Sequence, residues 1–350
     1  MFGNAAPAPR RRAMARYDLK RPHRAGVLSS SPLAALKVLE VKLLGKRASS
    51  YCYNFPAVYQ IEITNRCNLS CKMCSRLEEL RAEGSVPADM SMETLRRILD
   101  QIRSVYHIGL FGRGEPLLHP DLIGMIEYCA HRGVPQISIT TNGLLLSGET
   151  RQSLAASKLT ELRVSIDGAD PKTYREIRNA DLEKVLDNVR QFTASSDIPV
   201  TVNFVLGESN WDGALGMPEL TRSIGAQCLR VFNTLGRSGS VLAMVQRDGH
   251  RAGSYDRLRK DLSRRCAEMG LAFQIDRLGM RRCLWPFFMA FIDIDGHLTP
   301  CCRLEHIRLS SVAKDGLFKA WNHTNVRAWR KRILRGDFPR PCRDIHCTAG

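Results

Sequence analysis

The sequence has no long apolar run and no export signal. In its 350 residues, no stretch approaches the roughly 18 consecutive apolar residues that predict a membrane span. The arginines at 10–12 are not followed by the uninterrupted apolar core of a secretion signal. With 44% hydrophobic residues, the chain can bury a full core, and its length suits one large domain plus a smaller attachment. We therefore expect a globular, cytoplasmic protein.

No internal repeat and no low-complexity linker interrupts the middle of the chain, where β-rich runs alternate with helical stretches. The β-rich runs lie at 58–64, 106–112, 136–142, 161–167, 200–206 and 228–234. The helical stretches lie near 91–104, 120–132, 148–157, 171–195 and 216–225. Strand followed by helix, repeated in this way, predicts a parallel sheet with helices outside, either doubly wound or curled into a partial barrel.

Polar motifs follow the first four of these strands. Parallel sheets bind ligands at the C-terminal ends of their strands. The first strand leads into a cysteine-rich loop at 64–76, and the next three end in "GRGEP" (112–116), "TTNG" (140–143) and "SIDG" (165–168). We expect these four clusters to share one rim of the sheet.

The loop after the first strand contains Cys67, Cys71 and Cys74. Clustered cysteines in a chain without an export signal more often bind metal or perform redox chemistry than form disulfides. This spacing lets one loop ligate three irons of a cubane iron–sulfur cluster and leave the fourth iron open to a small molecule. Structural zinc needs four protein ligands, and the nearest histidine is His107. A disulfide between Cys71 and Cys74 is the redox alternative, but it leaves Cys67 without a role.

The CxxxCxxC loop, with "GEP", "TNG" and "SIDG" at successive strand ends, resembles the radical S-adenosylmethionine (SAM) superfamily over residues 57–235. The resemblance implies a [4Fe–4S] cluster on Cys67, Cys71 and Cys74, with SAM on its open iron. It further implies reductive cleavage of SAM to a 5′-deoxyadenosyl radical that abstracts a substrate hydrogen. The fold it implies is α/β, a partial (β/α)6 barrel of radical SAM type.

The same resemblance assigns expected SAM contacts. Gly114 and Glu115 would receive the SAM amino group; Thr141, Asn142 and Ser165 would lie near the ribose or carboxylate; Met73 and Val231 would lie near adenine. These types are apt, because glycine permits close backbone approach and hydroxyl or amide groups suit a ribose diol. Arg113 departs from the glycine of many relatives. Asn142 and Asp167 each precede glycine, so simple turn formation is their alternative role.

The C-terminal region supplies a second set of thiols. Two β-rich runs flank "DG" at 295–296, a hairpin signal expected to bring Cys283 and Cys301 together, and Cys342 and Cys347 follow. With the helical stretch at 317–338, this pattern resembles the SPASM/twitch extension of radical SAM enzymes. Because the complete version needs more cysteines than are available here, we expect one auxiliary [4Fe–4S] cluster, with Cys302 as a reserve ligand. Zinc on the same four thiolates is the alternative. The remaining cysteines are predicted to be small core residues; they are Cys52, Cys129, Cys228 and Cys266.

The formal charge of +17 is concentrated at the front of the chain. Residues 1–50 contain eleven Lys or Arg but only two acidic residues, Asp18 and Glu40. We expect residues 1–31 to form a flexible arm. Residues 32–47 carry leucines at helical spacing with lysines between them, which predicts a basic amphipathic helix. Such a helix either packs on the main domain with a solvated basic face or docks on a membrane surface or acidic partner.

These patterns predict four regions and a general activity. The regions are a basic arm and helix (1–55), the barrel (56–240), a helical connection (241–282) and the auxiliary-cluster domain (283–350). An auxiliary cluster beside the substrate suits two-electron oxidation. Because the segment before the barrel is too short and basic for a leader-peptide-binding domain, we expect a small polar substrate, of sugar, aminocyclitol or nucleoside type, and oxidation or epimerisation. The alternative is modification of a ribosomally made peptide.

Two further functions and the expected partners can be compared with this prediction. The basic segments could bind RNA, but the auxiliary cysteines argue against it, and we expect no nucleic acid partner. A simple electron carrier needs neither a barrel nor an open iron. The reductant is expected to be an acidic flavodoxin or ferredoxin, whose encounter a basic face would speed. No catalytic acid or base can be assigned; the candidates at the rim are His119, Arg178, Asn203 and Asn233.

Overall fold

The computed structural model describes residues 31–74, 76, 80–81, 84, 86–234, 241, 244, 251–275 and 283–344. Except for its last residue, the predicted arm at 1–31 lies outside these residues, and so does Cys347. No helix among the described residues is long and apolar enough to cross a membrane.

One mixed sheet of ten strands forms the centre of the described structure. The strands are β1 Val58–Ile61, β2 His107–Leu110, β3 Gln136–Thr141, β4 Glu161–Ser165, β5 Val200–Leu206, β6 Cys228–Asn233, β7 Ala272–Ile275, β8 Met289–Ile292, β9 His297–Thr299 and β10 Ser310–Ser311. Their order across the sheet is β10-β9-β8-β1-β2-β3-β4-β5-β6-β7. Every pair from β8 to β7 along this order is parallel, and β9 and β10 add antiparallel pairs at one edge.

Helices follow most of the strands. Those described are α1 Pro32–Leu44, α2 Met92–Leu99, α3 Leu122–His131, α4 Gly148–Ala156, α5 Pro171–Arg178, α6 Leu182–Ser195, α7 Met217–Ser223, α8 Arg251–Glu268, α9 Val312–Asp315, α10 Leu317–Trp321, α11 Thr324–Arg335 and α12 Arg340–Asp344. The strand–helix alternation predicted from the sequence is confirmed, and the α/β partial barrel with a C-terminal hairpin and helix is the fold observed. The single helix predicted over 171–195 is two helices, because Asn179 adopts a left-handed conformation with φ of 53° and ends α5.

The two faces of the sheet differ sharply in polarity. One face carries apolar side chains that pack into the main core, among them Tyr59, Ile61, Ile108, Leu110, Ile137, Ile139, Leu162, Val164, Val202 and Phe204. The alternate positions carry polar or charged side chains, among them Gln60, Glu62, His107, Ser138, Glu161, Arg163, Thr201, Asn203 and Arg230. Since alternate residues of a strand face opposite sides, the apolar face meets the helices and the polar face lines the inside of the partial barrel.

The C-terminal hairpin is continuous with the barrel. β8 pairs in parallel with β1, with Val58 opposite Met289 and Ile61 opposite Ile292. The hairpin turns at Gly296, whose φ of 78° lies in the left-handed region that "DG" turns require. The sequence patterns predicted the hairpin but neither its pairing with β1 nor the seventh strand, β7, inside the region expected to be a helical connection.

The N-terminal helix α1 packs on the domain through an unexpected face. Ala34, Lys37 and Val41 are fully buried, whereas the leucines of the predicted amphipathic pattern lie on the exposed side. The Lys37 ammonium group donates to the Ser49 carbonyl at 2.6 Å and forms an ion pair with Glu40 at 3.0 Å. The helix therefore docks as expected, but a small apolar patch and one buried lysine hold it rather than the leucines.

Arg330 joins the N-terminal segment to the C-terminal region. Its side chain is fully buried, with the guanidinium carbon 4.0 Å from the centre of the Trp321 ring. It donates to the carbonyl of Pro286 at 2.6 Å and to that of Ser50 at 3.3 Å. Burial lowers the pKa of Arg330 to about 10, which reflects how little solvent reaches the group. Asn322 adds a two-way link, since its amide exchanges hydrogen bonds with the backbone of Cys52.

We expect Arg330→Ala to destabilise the protein by roughly 3 kcal/mol, because it leaves a cavity and removes a donor from the buried Pro286 carbonyl and from the partly buried Ser50 carbonyl. The midpoint of urea unfolding of the anaerobically reconstituted protein measures this cost. Lys331→Ala is the matched control: its side chain is exposed one position along α11, and the substitution should change stability by less than about 0.5 kcal/mol. Equal midpoints for the two variants would contradict the role assigned to Arg330.

Candidate functional site

The four predicted polar clusters lie at the same edge of the sheet. Because β1 to β4 are parallel neighbours, the loops that follow them emerge together at their C-terminal ends. Side-chain and backbone hydrogen bonds then connect the loops to one another. In the described residues, the loops of this rim are therefore held together by hydrogen bonds as well as by the order of the strands.

Glu115 is the central connection of this rim. Its carboxylate accepts hydrogen bonds from the Thr141 hydroxyl at 2.7 Å, the Asn142 backbone N–H at 2.7 Å and the Leu117 N–H at 3.1 Å. The residue is almost completely buried. Burial raises the pKa of Glu115 above the ordinary glutamate value, and these donors act in the opposite direction. One carboxylate thus ties the loop after β2 to the loop after β3.

The loop after β2 also lies directly against the cysteine loop. The N–H of Glu115 donates to the Arg66 carbonyl at 2.7 Å. A Cβ atom on Gly114 would lie 2.4 Å from the Thr64 carbonyl oxygen and 2.6 Å from that of Arg66. Both contacts are with backbone, so no side chain could be accommodated at this position. Gly114 is therefore required for the close approach of the two loops.

Arg113, the departure from the family pattern, has a defined partner. Its guanidinium group forms a two-point ion pair with Glu62, with Nη2 2.9 Å from Oε2 and Nε 3.0 Å from Oε1. Both side chains are only 4% exposed. The Arg113 N–H also donates to the Glu62 carboxylate. The side chain thus points into the polar interior and is neutralised there, while the backbone keeps the turn.

The cysteine loop docks on the end of α5. The N–H of Lys72 donates to the Ile177 carbonyl at 2.9 Å, and the Cys71 thiol lies 3.8 Å from the Arg178 carbonyl oxygen. Cys67 and Cys71 are half-buried, whereas Cys74 is exposed. Burial raises the pKa of the Cys67 and Cys71 thiols, and the Arg178 guanidinium acts in the opposite direction on Cys71.

A buried ion pair fixes the helix end on which this loop rests. Arg178 Nε donates to Asp167 Oδ2 at 2.6 Å, and the other carboxylate oxygen accepts from the Val205 N–H at 2.6 Å. Asp167 is fully buried. The Asp of "SIDG" therefore shapes the fold rather than facing a ligand.

Asn142 forms a turn and a connection. Its side-chain carbonyl accepts from the Leu144 N–H at 3.0 Å, which is the turn that its position before glycine predicts. Its side-chain amide donates to Asn68 at 2.8 Å and so reaches the cysteine loop. Asn68 was not singled out from the sequence, since a single polar residue between two cysteines carries no signal of its own.

The spacing of the sulfur atoms can be compared with the two candidate metal centres. Tetrahedral zinc with bonds of about 2.3 Å holds its sulfurs about 3.8 Å apart. Among the described residues, no three cysteine sulfurs lie within 4.8 Å of one another. The cysteine loop supplies three thiols, whereas structural zinc needs four protein ligands, so the donor set fits a cluster with one open iron better than one zinc ion.

The other predicted SAM contacts lie at different depths. Met73 is partly exposed on the cysteine loop, and Ser165 is half-buried at the end of β4, beside Asn203 of β5. Val231 pairs with Phe204 and Ile275 on the apolar face of the sheet, so its side chain belongs to the core between sheet and helices. Its proximity to adenine remains a prediction.

Three of the four candidate acid–base residues make structural contacts. Both ring nitrogens of His119 are engaged, one with the Met90 carbonyl at 2.9 Å and one with the Asp121 N–H at 3.1 Å. Asn233 bonds the Tyr255 hydroxyl at 3.1 Å, and Arg178 is held as described above. Asn203 differs, because its buried side-chain oxygen has no hydrogen-bond partner among the described residues.

A charged network fills the polar interior below the rim. The Arg163 guanidinium binds Glu161 Oε2 at 2.7 Å, and Thr201 donates to Oε1 at 2.7 Å. Arg230 lies 4.0 Å from the same carboxylate and donates to Gln274 at 3.0 Å. Burial alone would raise the pKa of Glu161, but Arg163 and Arg230 outweigh it and hold that pKa well below the ordinary range. Two guanidinium groups thus lie close to one buried carboxylate in this part of the interior.

The sequence contained a signal for this network. Glu161, Arg163 and Ser165 alternate with Leu162 and Val164 in one strand, and Thr201, Asn203 and Arg230 occupy alternate positions in the next two. Fully buried parallel strands are usually apolar throughout. Charged residues at every second position therefore indicate an interior that is polar on one face.

The auxiliary cysteines are only partly covered by the described residues. Cys283 precedes a short 3-10 turn, Trp285–Phe287, that leads into β8, while Cys301 and Cys302 follow β9. Cys342 is buried on α12. Cys347 lies outside the described residues, and the assignment of the four cysteines as ligands of an auxiliary cluster stays a prediction.

Comparison with known proteins identifies two domain families. The Radical SAM superfamily matches residues 61–215, and SPASM, an iron–sulfur cluster-binding domain, matches residues 283–348. Together these matches cover more than half of the chain. Such domains imply SAM, its [4Fe–4S] cluster and auxiliary iron–sulfur binding, which confirms the predicted cofactors; that there is one auxiliary cluster remains a prediction.

Two curated relatives share the name PqqA peptide cyclase. The protein of Streptomyces rochei is 33% identical over an alignment that covers 51% of this chain and 48% of the relative. That of Bradyrhizobium diazoefficiens is 23% identical over 85% of this chain and 80% of the relative. The chain spans about half the length of several curated relatives that it matches.

Among solved structures, SuiB of Streptococcus suis has a similar fold. Its complex with SAM superposes with a TM-score of 0.61 at 17% identity, covering 79% of this chain and 66% of SuiB. Its complex with the precursor peptide SuiA gives the same TM-score at 18% identity, covering 84% of this chain and 70% of SuiB. By its two family matches, the chain belongs to the radical SAM superfamily and carries a SPASM iron–sulfur domain in its C-terminal region.

Proposed function

We propose that this protein is a radical SAM maturase that modifies a ribosomally made peptide. When bound, the cluster and SAM supply the family's chemistry, a 5′-deoxyadenosyl radical that abstracts a substrate hydrogen. The observation that carries the enzymatic part is the rim at which the cysteine loop, Glu115, Thr141 and Asn142 are bonded to one another. A rim so connected can hold a charged, polar cofactor at a fixed height above the barrel interior.

The residues of this rim have defined tasks in the proposal. The thiolates of Cys67, Cys71 and Cys74 would hold the cluster and leave one iron for SAM. Glu115, a buried carboxylate that already orients two loops, would provide negative charge toward the SAM ammonium group. The hydroxyls and amides near the ends of β3 and β4 would bind the ribose and carboxylate. Arg178 and Asp167 act indirectly, since they position the helix end under the cysteine loop.

The extent of the sequence relationship supports a peptide as substrate. An alignment with a PqqA peptide cyclase that takes in 85% of this chain cannot be confined to residues 61–215. It therefore includes regions outside the radical SAM core. The fold similarity extends over the same breadth in SuiB, which has been solved with its precursor peptide. These relationships favour the peptide alternative over the small polar substrate expected from the basic N-terminal segment.

A small polar substrate is the second candidate, and the barrel interior supports it. The unpartnered oxygen of Asn203 and the paired guanidinium groups of Arg163 and Arg230 lie on the same face of neighbouring strands. Such groups can bind hydroxyl, carboxylate or phosphate groups of a sugar or nucleotide. The same groups could also bind a polar side chain of a peptide.

For either substrate, the proposed reaction is a two-electron oxidation. Formation of a crosslink or a ketone removes two hydrogens from the substrate. One leaves as a hydrogen atom to the deoxyadenosyl group, and the other leaves as a proton with one electron. An iron–sulfur cluster held by the SPASM region would be the acceptor for that electron. Epimerisation would instead need a hydrogen donor on the opposite side of the substrate.

Glu115→Gln should slow 5′-deoxyadenosine release roughly 10- to 100-fold. The glutamine amide would place an N–H donor opposite the Asn142 N–H, which is itself a donor, and it would remove the negative charge at the rim. The assay measures deoxyadenosine in the presence of dithionite and SAM, with iron content checked for each variant. Glu149→Gln, on the exposed surface of α4, is the control and should behave as the wild type. Unchanged release by Glu115→Gln at full iron content would contradict the proposed role.

Iron and sulfide analysis should find about eight irons per wild-type chain and about four after replacement of Cys67, Cys71 and Cys74 by alanine. Cys129→Ala removes a buried thiol in α3 far from either cysteine set and should retain the wild-type count. Four irons in the wild type would eliminate the auxiliary cluster. One zinc per chain beside about four irons in the wild type would instead favour zinc at the C-terminal thiols.

The substrate class can be tested with pooled candidates. The reconstituted protein, with SAM and dithionite, is incubated separately with synthetic peptides encoded by short reading frames beside its gene and with pools of sugars, aminocyclitols and nucleosides. We expect a peptide to stimulate deoxyadenosine release and to lose two hydrogens by mass spectrometry. Stimulation by a small molecule alone would overturn the peptide proposal, and a protein that releases no deoxyadenosine under any condition would overturn radical SAM catalysis.

A further inference from the structure

The helix α1 (Pro32–Leu44) is apolar on both of its sides. Its inner side is made of Ala34 and Val41 with the buried Lys37 between them. Its outer side carries leucines that are between 49% and 74% exposed: Leu33, Leu36, Leu39, Leu43 and Leu44. A surface helix normally buries its apolar residues and exposes polar ones. A helix with apolar residues on both sides is adapted to a second apolar environment.

The exposed leucines form a stripe rather than a scatter. At 100° per residue, Leu36, Leu39 and Leu43 project opposite to the buried face, and Leu33 and Leu44 lie about 90° from them, both on the same side of the helix. Single exposed apolar residues are common, but a contiguous patch marks an interaction site. These five leucines account for more than half of the large exposed apolar residues in the described structure.

Cations accompany the stripe at its C-terminal end. Lys42, Lys46 and Arg47 are exposed in and just after α1. The only acidic residue of the helix, Glu40, is neutralised by its ion pair with Lys37. The sequence before the helix contains seven further Lys or Arg and one acidic residue. An apolar stripe bordered by cations, with no free acidic group on the helix, is the pattern of a segment that lies on a membrane surface.

The attachment of α1 keeps this stripe directed outward. The Lys37 ammonium group bonds the Ser49 carbonyl and lies 5.5 Å from the centre of the Tyr53 ring, while Glu40 accepts from the Ser49 N–H at 2.8 Å. Helix and following segment are therefore fixed to each other. Exposure of the leucines requires no rearrangement of the domain.

We propose that α1 is an interfacial helix that docks the protein on an anionic lipid bilayer, with its leucine stripe in the headgroup region and Lys42, Lys46 and Arg47 on acidic lipids. Charge selects this occupant. A second copy of the chain would carry the same positive charge on this surface, whereas an anionic bilayer provides both apolar depth and opposite charge. Association would be peripheral and reversible and does not depend on the proposed substrate.

Flotation of the full-length reconstituted protein with vesicles tests the proposal. We expect the wild type to float with phosphatidylcholine vesicles that contain phosphatidylglycerol and to remain largely unbound with phosphatidylcholine alone. Replacement of Leu36, Leu39 and Leu43 by serine should reduce the partition coefficient by roughly tenfold or more, since it removes the inserted apolar groups. Charge reversal of Lys42, Lys46 and Arg47 should have a similar effect, and salt near ~1 M should weaken wild-type binding.

A matched control separates the location of charge from its amount. Replacement of Lys158, Lys184 and Arg190 by glutamate changes the net charge by the same amount, but on exposed surface outside α1. This variant should float about as well as the wild type. Circular dichroism and thermal unfolding check that every variant folds. Equal flotation of the leucine variant and the wild type, or no flotation of the wild type, would overturn the proposal. A leucine-dependent dimer in sedimentation without vesicle binding would also overturn it and identify a second copy as the occupant.

Discussion

The rim of the barrel depends on one buried carboxylate. Glu115 receives donors from the loop after β3, while its own N–H reaches back to Arg66 in the cysteine loop. If the loops separated, the buried carboxylate would lose these donors and its desolvation would no longer be compensated. Hydrogen bonding to Glu115 therefore holds the loops together in addition to packing. Gly114 makes this possible, since a side chain there would collide with two carbonyl oxygens. Cofactor binding is therefore built on loops that are already ordered by the protein itself.

The interior below the rim uses charge in compensated groups. Glu62 neutralises Arg113 directly under the loop after β2, and deeper in the barrel Glu161 is shared by two guanidinium groups. Buried ion pairs contribute little to stability when compared with apolar residues, because desolvation offsets their attraction. Along one face of the sheet, however, they provide a polar surface on which a polar substrate can bind. The apolar face, packed against helices, supplies the stability that this arrangement does not.

The C-terminal and N-terminal regions are joined to the barrel by backbone pairing and a few specific groups. β8 extends the parallel sheet beside β1, so the auxiliary-cluster hairpin and the cysteine loop originate from adjacent strands. Arg330 and Asn322 then fasten the segment that leads from α1 to the barrel. The SPASM region and the cysteine loop are thereby attached to neighbouring strands of one sheet. The same fastening leaves the outer face of α1 free for contact with another surface.

The sequence by itself determined the cofactor chemistry and the strand–helix order. Cysteine spacing within a loop and hydrophobic periodicity are local properties, which is why Cys67, Cys71 and Cys74 and the strands from 58 to 233 could be predicted. Only the tertiary structure decided that His119 and Asp167 serve the fold, that β8 pairs with β1, and that α1 turns its leucines outward. Burial and partners depend on residues far apart in the chain, and a local pattern records which side chains can make a contact but not which neighbours they find.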